Sequence, residues 1–137
     1  MKTVLIVDDS KVYRTAIAQL FRKLGWSVHE AEDGLEGKSL MENNSVDLVF
    51  LDVVMPKLDG FALCRWIKGN PKTKQIPVII CSSKNESTDQ YWGLKQGANH
   101  YLSKPVDAKG IIGAVKTIFE DEPIQFSNSK QIAQSRR

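Results

Sequence analysis

With 137 residues the chain suits one domain, long enough to bury about two thirds of its unfolded surface and hold a core without staples. Its formal charge of +3 invites a nucleic-acid reading, but residues 123–137 carry Lys130, Arg136 and Arg137 and no acid, leaving sixteen basic and sixteen acidic residues in the body. A balanced body without a DNA-reading motif argues against nucleic acid as partner, and the want of a signal peptide or membrane-length apolar run argues against a membrane, so a cytoplasmic protein is expected.

In chain order, TVLIV (3–7) reads as a first strand, and it ends on Asp8 and Asp9. Val12, Ala16, Leu20 and Leu24 then step by four, opposite Lys11, Arg14, Arg22 and Lys23, as a helix opened by Ser10 and closed by Gly25. VHEA (28–31) is a second strand and residues 35–43 a second helix. DLVFL (47–51) is a third strand that closes on Asp52. Met55 and Pro56 shape the loop after it, and Asp59 with Gly60 opens a third helix over 60–69. IPVIIC (76–81) leads to Ser82. The helix over 87–96 buries Tyr91, Leu94 and Ala98 by spacing and leaves Trp92 on the flank, either as a partner anchor or as a tucked core edge. HYLS (100–103) runs into Lys104 and Pro105, and a last helix spans 107–120. Cys64 and Cys81 lie inside apolar segments and read as reduced core thiols, and Trp26 and Trp66 read as packing residues. His29 and His100 join no cluster.

Strand and helix alternating five times predicts right-handed crossovers and an α/β doubly wound fold, a parallel sheet covered by helices on both faces. All strands then point one way, so their carboxyl ends share one edge. If strands 1, 3, 4 and 5 are neighbours, that edge gathers Asp8, Asp9, Asp52, Ser82 and Lys104, and only the second strand contributes nothing. Taken singly, Asp9 or Ser10 caps a helix, Ser82 satisfies a backbone group and Lys104 is solvated surface. Their joint placement at four strand ends asks for a common cause.

Carboxylates about 4 Å apart repel by roughly 4 kcal/mol per pair at an effective dielectric near 20, and a divalent cation relieves that repulsion. An all-oxygen set suits Mg²⁺, with Mn²⁺ able to substitute. Lys104 and Ser82 suit the oxygens of a phosphoryl group, and the remaining oxygen of Asp52 is a nucleophile able to form an acyl phosphate.

VDD at 7–9, LDVVMPKLDG at 51–60, PVIICSS at 77–83 and GANHYLSKP at 97–105 resemble the response regulator receiver domain of two-component systems. The resemblance covers residues 2 to about 120 and implies a flavodoxin-like (βα)5 fold with strand order 2-1-3-4-5. It divides the chain into a receiver over 1–121 and a polar, disordered tail over 122–137. By the same resemblance Asp52 is the phosphoacceptor, and Asp9, Asp8, Asp52 and the Val54 carbonyl surround Mg²⁺. Ser82 and Lys104 bind the phosphoryl oxygens, and Lys104-Pro105 is cis. Ser82 and Tyr101 form a switch that reshapes a partner face made by helix 4, strand 5 and helix 5, with Trp92 and Tyr101 upon it. The implied partners are a sensor histidine kinase or phosphotransfer protein and a downstream protein target. The stretch TDQYWGLKQGANHYLSKPV (88–106) is similar to short receivers of twitching-motility and phototaxis systems.

Two positions depart from the chemotaxis pattern: Val54 replaces a polar residue that orients a hydrolytic water, and Lys84 puts a cation where an acid is usual. Both favour a longer-lived phosphoryl group. A phosphohydrolase of the haloacid dehalogenase kind would want a second Asp where Val54 stands, and a phosphorylation-independent scaffold would be expected to lose part of the cluster. The 17 residues from 121 onward are too few for a DNA-binding or catalytic output domain, so output is expected through protein binding or phosphate relay.

Overall fold

A computed structural model describes residues 1–120. The polar tail expected over 122–137 lies outside the described residues. Ten elements alternate along the chain: β1 (Thr3–Val7), α1 (Lys11–Lys23), β2 (Ser27–Ala31), α2 (Gly34–Asn43), β3 (Leu48–Leu51), α3 (Gly60–Gly69), β4 (Val78–Ser82), α4 (Ser87–Lys95), β5 (His100–Ser103) and α5 (Ala108–Ile118). The strands form one parallel sheet in the order β2-β1-β3-β4-β5, as the resemblance implies.

The side-chain period of two along each strand explains why the helices lie on both sides. Leu5, Val7, Val49, Leu51, Val78 and Ile80 point to one face, where they bury Met41 of α2 and Leu63, Cys64 and Ile67 of α3. Val4, Ile6, Leu48, Phe50, Ile79 and Cys81 point to the other, against Ile17, Ala18 and Phe21 of α1 and Ile111, Ala114 and Val115 of α5. On this second face an aromatic chain joins the elements. Phe21 meets Trp26 edge-on at 5.3 Å and Phe50 at 6.3 Å, and Trp26 meets Phe119 at 5.8 Å. The cysteines are free and buried, and burial pushes their thiols up to about 11 for Cys64 and about 12 for Cys81, so both stay protonated core groups at neutral pH.

Short polar residues start four of the five helices. Ser10 accepts the Tyr13 N–H, Asp33 the Glu36 N–H, Asp59 the Ala62 N–H at 2.8 Å and Asp107 the Gly110 N–H at 2.8 Å. Gly60, immediately after its cap, is required by a close approach. A Cβ there would stand 2.0 Å from the Asp52 carbonyl oxygen, so only glycine lets the loop after β3 fold back under the strand end.

The structure corrects two helical stripes. On α1 the buried face is Arg14, Ile17, Ala18 and Phe21, whereas Val12 is 79% exposed and Ala16 is exposed as well. Steps of four advance about 400° and drift about 40° each time, so a run of them walks off the core, while i, i+3, i+4, i+7 stays on it. On α4 the expected stripe fails more fully: Tyr91 is 59% and Leu94 53% exposed, and Gly93 is the buried residue of the helix, with Ala98 buried just beyond its end. Trp92, 54% exposed, is not a tucked core edge.

Phe21 stands at the centre of the aromatic chain with no exposed surface. Phe21→Ala is therefore expected to lower the unfolding free energy by about 3–5 kcal/mol, and Phe21→Leu by clearly less, in urea titrations followed by circular dichroism.

Candidate functional site

The carboxyl edge of the sheet is assembled by backbone pairing. The Asp52 N–H donates to the Val7 carbonyl at 3.0 Å and the Lys104 N–H to the Ser82 carbonyl at 3.0 Å, which continues the ladders one residue past β1/β3 and β4/β5. Four strand ends are thereby neighbours. Asp8, Asp9 and Asp52 each offer a carboxylate oxygen within 4.8 Å of the others, with Asp8 and Asp52 buried and Asp9 exposed. Into this cluster Lys104 sends its ammonium, 2.8 Å from Asp8 Oδ2 and 3.6 Å from Asp52 Oδ2, on a side chain only 9% exposed. The Lys104-Pro105 bond is cis.

The remaining oxygens are held as well. Asp8 Oδ1 accepts the Ser10 N–H at 2.8 Å, and Asp52 Oδ1 accepts the Val53 N–H at 2.8 Å. Burial raises the Asp52 pKa above the ordinary carboxylate value; the Lys104 charge opposes that, and the Asp8 charge adds to it. Burial works against the Lys104 ammonium, yet the hydrogen bond to Asp8 and the charges of Asp52 and Asp8 outweigh it and raise its pKa. One ammonium set against three carboxylates leaves about two negative charges. An all-oxygen donor set with that deficit fits a small divalent cation.

Ser82 is completely buried, and its Oγ accepts the Lys84 N–H at 3.2 Å. Lys84 ties the start of α4 together. Its ammonium pairs with Asp89 at 3.6 Å, and its carbonyl accepts the Tyr101 hydroxyl. The Tyr101 ring packs against α4, where a Cβ on Gly93 would come within 2.6 Å of it. Val54 stands in the loop after Asp52 with its side chain 58% exposed. In the same loop Lys57 adopts a φ of 69°, an unfavourable conformation for a residue with a side chain.

The response regulator receiver domain model matches residues 4–116. The chain belongs to this family. As a receiver of two-component phosphorelay signalling, it is 38% identical to Protein PilH of Pseudomonas aeruginosa, over 86% of this chain and 98% of that protein. It is also 48% identical to a gliding motility regulatory protein of Myxococcus xanthus, over 74% of this chain but only 13% of that longer protein. Among solved structures, the signal receiver domain of a signal transduction histidine kinase from Syntrophus aciditrophicus superposes with a TM-score of 0.82 at 29% identity, covering 93% of this receiver and 96% of that chain.

Sequence reasoning missed two residues around the receiver's acidic edge. Arg14, read as the solvent side of α1, is buried; its Nη1 donates to the Asp8 carbonyl at 2.7 Å and its Nε to Glu30 at 3.2 Å. Glu30 lies on β2, the strand that sends nothing into the cluster directly, and so β2 supports the site through Arg14. Tyr13 places its ring 4.2 Å from the Lys104 ammonium. A correctly phased α1, with Arg14 on the Ile17/Phe21 face, was the available signal for the first. The second follows only from where the chain comes back 91 residues later.

The raised Asp52 pKa has a sign. Because the folded value exceeds the unfolded carboxylate value of about 3.9, folding is opposed once Asp52 ionises, and this group's contribution falls as pH rises from the unfolded pKa through the folded one. Asp52→Asn should therefore melt at a higher temperature than the wild type near neutral pH without divalent cations. That advantage should shrink as pH is lowered through the folded-state pKa, which thermal denaturation across a pH series measures.

Proposed function

We propose that Asp52 accepts a phosphoryl group from a sensor histidine kinase or phosphotransfer protein, with Mg²⁺ at the acidic cluster and Mn²⁺ as a substitute. The phosphorylated receiver then binds a protein target in the cytoplasm. Enzyme chemistry is limited to the receiver's own phosphorylation and dephosphorylation. The observation that carries this reading is the Lys104 ammonium sunk between Asp8 and Asp52 beside a third carboxylate. The ligands proposed for the metal are Asp8, Asp9, Asp52 and the Val54 carbonyl, and when bound it would neutralise charge developing on phosphoryl oxygens.

This chain's residues divide the remaining work. Asp52 Oδ1 is occupied by the Val53 N–H, which leaves Oδ2, the oxygen facing Lys104, as the nucleophile. Lys104 follows the charge from the carboxylate to the phosphoryl oxygens, and the Ser82 hydroxyl donates to another of them. A phosphoryl group adds nearly two negative charges, and drawing Ser82 toward it pulls on the Lys84 N–H that Ser82 holds. Lys84 also holds Tyr101 through its carbonyl, so the disturbance passes to α4, β5 and α5. Tyr91, Trp92 and Leu94 stand exposed there, suited to a protein partner. Shifting a two-state equilibrium from 1:99 to 99:1 takes about 5.5 kcal/mol, while couplings usually supply about 1–3, so the switch is graded and the partner completes it. A motility role is supported by the Myxococcus relative's name and by the likeness to twitching-motility receivers.

Incubation with Mg²⁺ and acetyl phosphate should add one phosphoryl group, stable to acid and labile to base, that Asp52→Asn abolishes; intact-mass measurement reads it, and an unmodified wild type would refute the assignment. Once formed, the acyl phosphate should decay several-fold faster in Val54→Asn than in the wild type, because an exposed amide two residues from the acceptor can orient water where valine cannot. The lifetime comes from the decay of the same mass shift after acetyl phosphate is removed.

A further inference from the structure

Lys104 is held on three sides. Two are the Asp8 and Asp52 carboxylates, at 2.8 and 3.6 Å, and the third is the face of Tyr13, whose ring centroid lies 4.2 Å from Nζ. Tyr13 sits in the first turn of α1 with its N–H donated to the Ser10 cap, so the backbone that fixes the ring is the same turn that follows Asp8 and Asp9. A lysine ammonium is a compact charge on a flexible stem and stays only where its surroundings hold it. The carboxylate holds have a weakness: both are candidate ligands of the divalent cation, which withdraws their charge and repels a neighbouring ammonium.

An aromatic face has no such weakness. Its attraction for a cation comes from the ring quadrupole, which no metal consumes, and it strengthens when the pair is shielded from water. We propose that Tyr13 is a positioning residue of the receiver: its ring retains the Lys104 ammonium at the edge of the acidic pocket when the carboxylates turn to a divalent cation. Lys104 is thereby kept in place for the incoming phosphoryl oxygens. This rests on the phosphoacceptor reading of Asp52 but assigns a role to a residue outside the five-residue cluster. The phenol hydroxyl is not needed, since the quadrupole belongs to the ring.

Tyr13→Leu and Tyr13→Phe separate the ring from the hydroxyl. Leucine is a good helix former and Tyr13 is only half-buried, so neither change opens the core. In isotope-labelled wild type, the Lys104 ε-methylene protons should show an upfield ring-current shift that persists through a Mg²⁺ titration; Tyr13→Phe should keep it and Tyr13→Leu lose it. At saturating Mg²⁺, phosphorylation by acetyl phosphate should slow about fivefold in Tyr13→Leu and recover in Tyr13→Phe, with Mg²⁺ affinity from the backbone amide shifts of Asp9 and Val53 no weaker in either. The proposal is overturned if the ring-current shift is lost when Mg²⁺ saturates the wild type, if Tyr13→Leu phosphorylates at the wild-type rate, or if Tyr13→Phe slows as much as Tyr13→Leu. Should the wild type take no phosphoryl group at all, the phosphoacceptor reading is at fault, and the ring-current comparison alone still decides whether Tyr13 holds Lys104.

Discussion

A buried ammonium between two buried carboxylates is the constraint around which this structure is organised. Lys104 has almost no exposed surface, and neither do Asp8 and Asp52. Each charge would be costly alone, and together they are tolerable only because their separation is short and their spare oxygens are bonded to the Ser10 and Val53 N–H groups. Pairing at 2.8 Å between residues 96 positions apart requires the first and last strands to deliver their ends to one edge. A parallel sheet in which β3 and β4 lie between β1 and β5 does so.

The balance among these charges is also incomplete, and that gives the edge its chemistry. One lysine does not offset three acids, so the pocket keeps a net negative charge, and Asp52 is left with one oxygen directed at Lys104 instead of at a backbone donor. Stability and chemistry oppose each other here. Burial raises the Asp52 pKa, so an ionised carboxylate is kept at this edge at a cost in stability.

From the acidic edge a short run of contacts leads outward. Ser82 holds the Lys84 N–H, the Lys84 carbonyl holds the Tyr101 hydroxyl, and the Tyr101 ring presses on the bare backbone of Gly93. Glycine inside a helix costs about 1 kcal/mol relative to alanine, yet here it makes room for the aromatic ring. The exposed Trp92 and Leu94 flank that same glycine, so the helix that seats Tyr101 also carries the outward apolar surface. Lys84, which departs from the chemotaxis pattern, directs its ammonium to Asp89 on α4 and thereby braces this helix.

The alternation of apolar runs with helical segments sufficed for ten elements, and strand ends bearing Asp8, Asp52, Ser82 and Lys104 sufficed to place these side chains along one edge, because a side chain at a parallel strand's end has its position set by local backbone direction. The receiver motifs were legible for the same reason: they lie in contiguous stretches whose order survives folding. What sequence alone misjudged were the helix faces. The faces of α1 and α4 depend on where each helix lands on the sheet, a matter of packing that a stripe of apolar residues states ambiguously. Only tertiary structure turned Arg14 inward to the Asp8 carbonyl, left Tyr91 and Leu94 in solvent, and brought the Tyr13 ring beneath an ammonium from the far end of the domain. Such contacts join residues remote along the chain, and no local propensity encodes their distance.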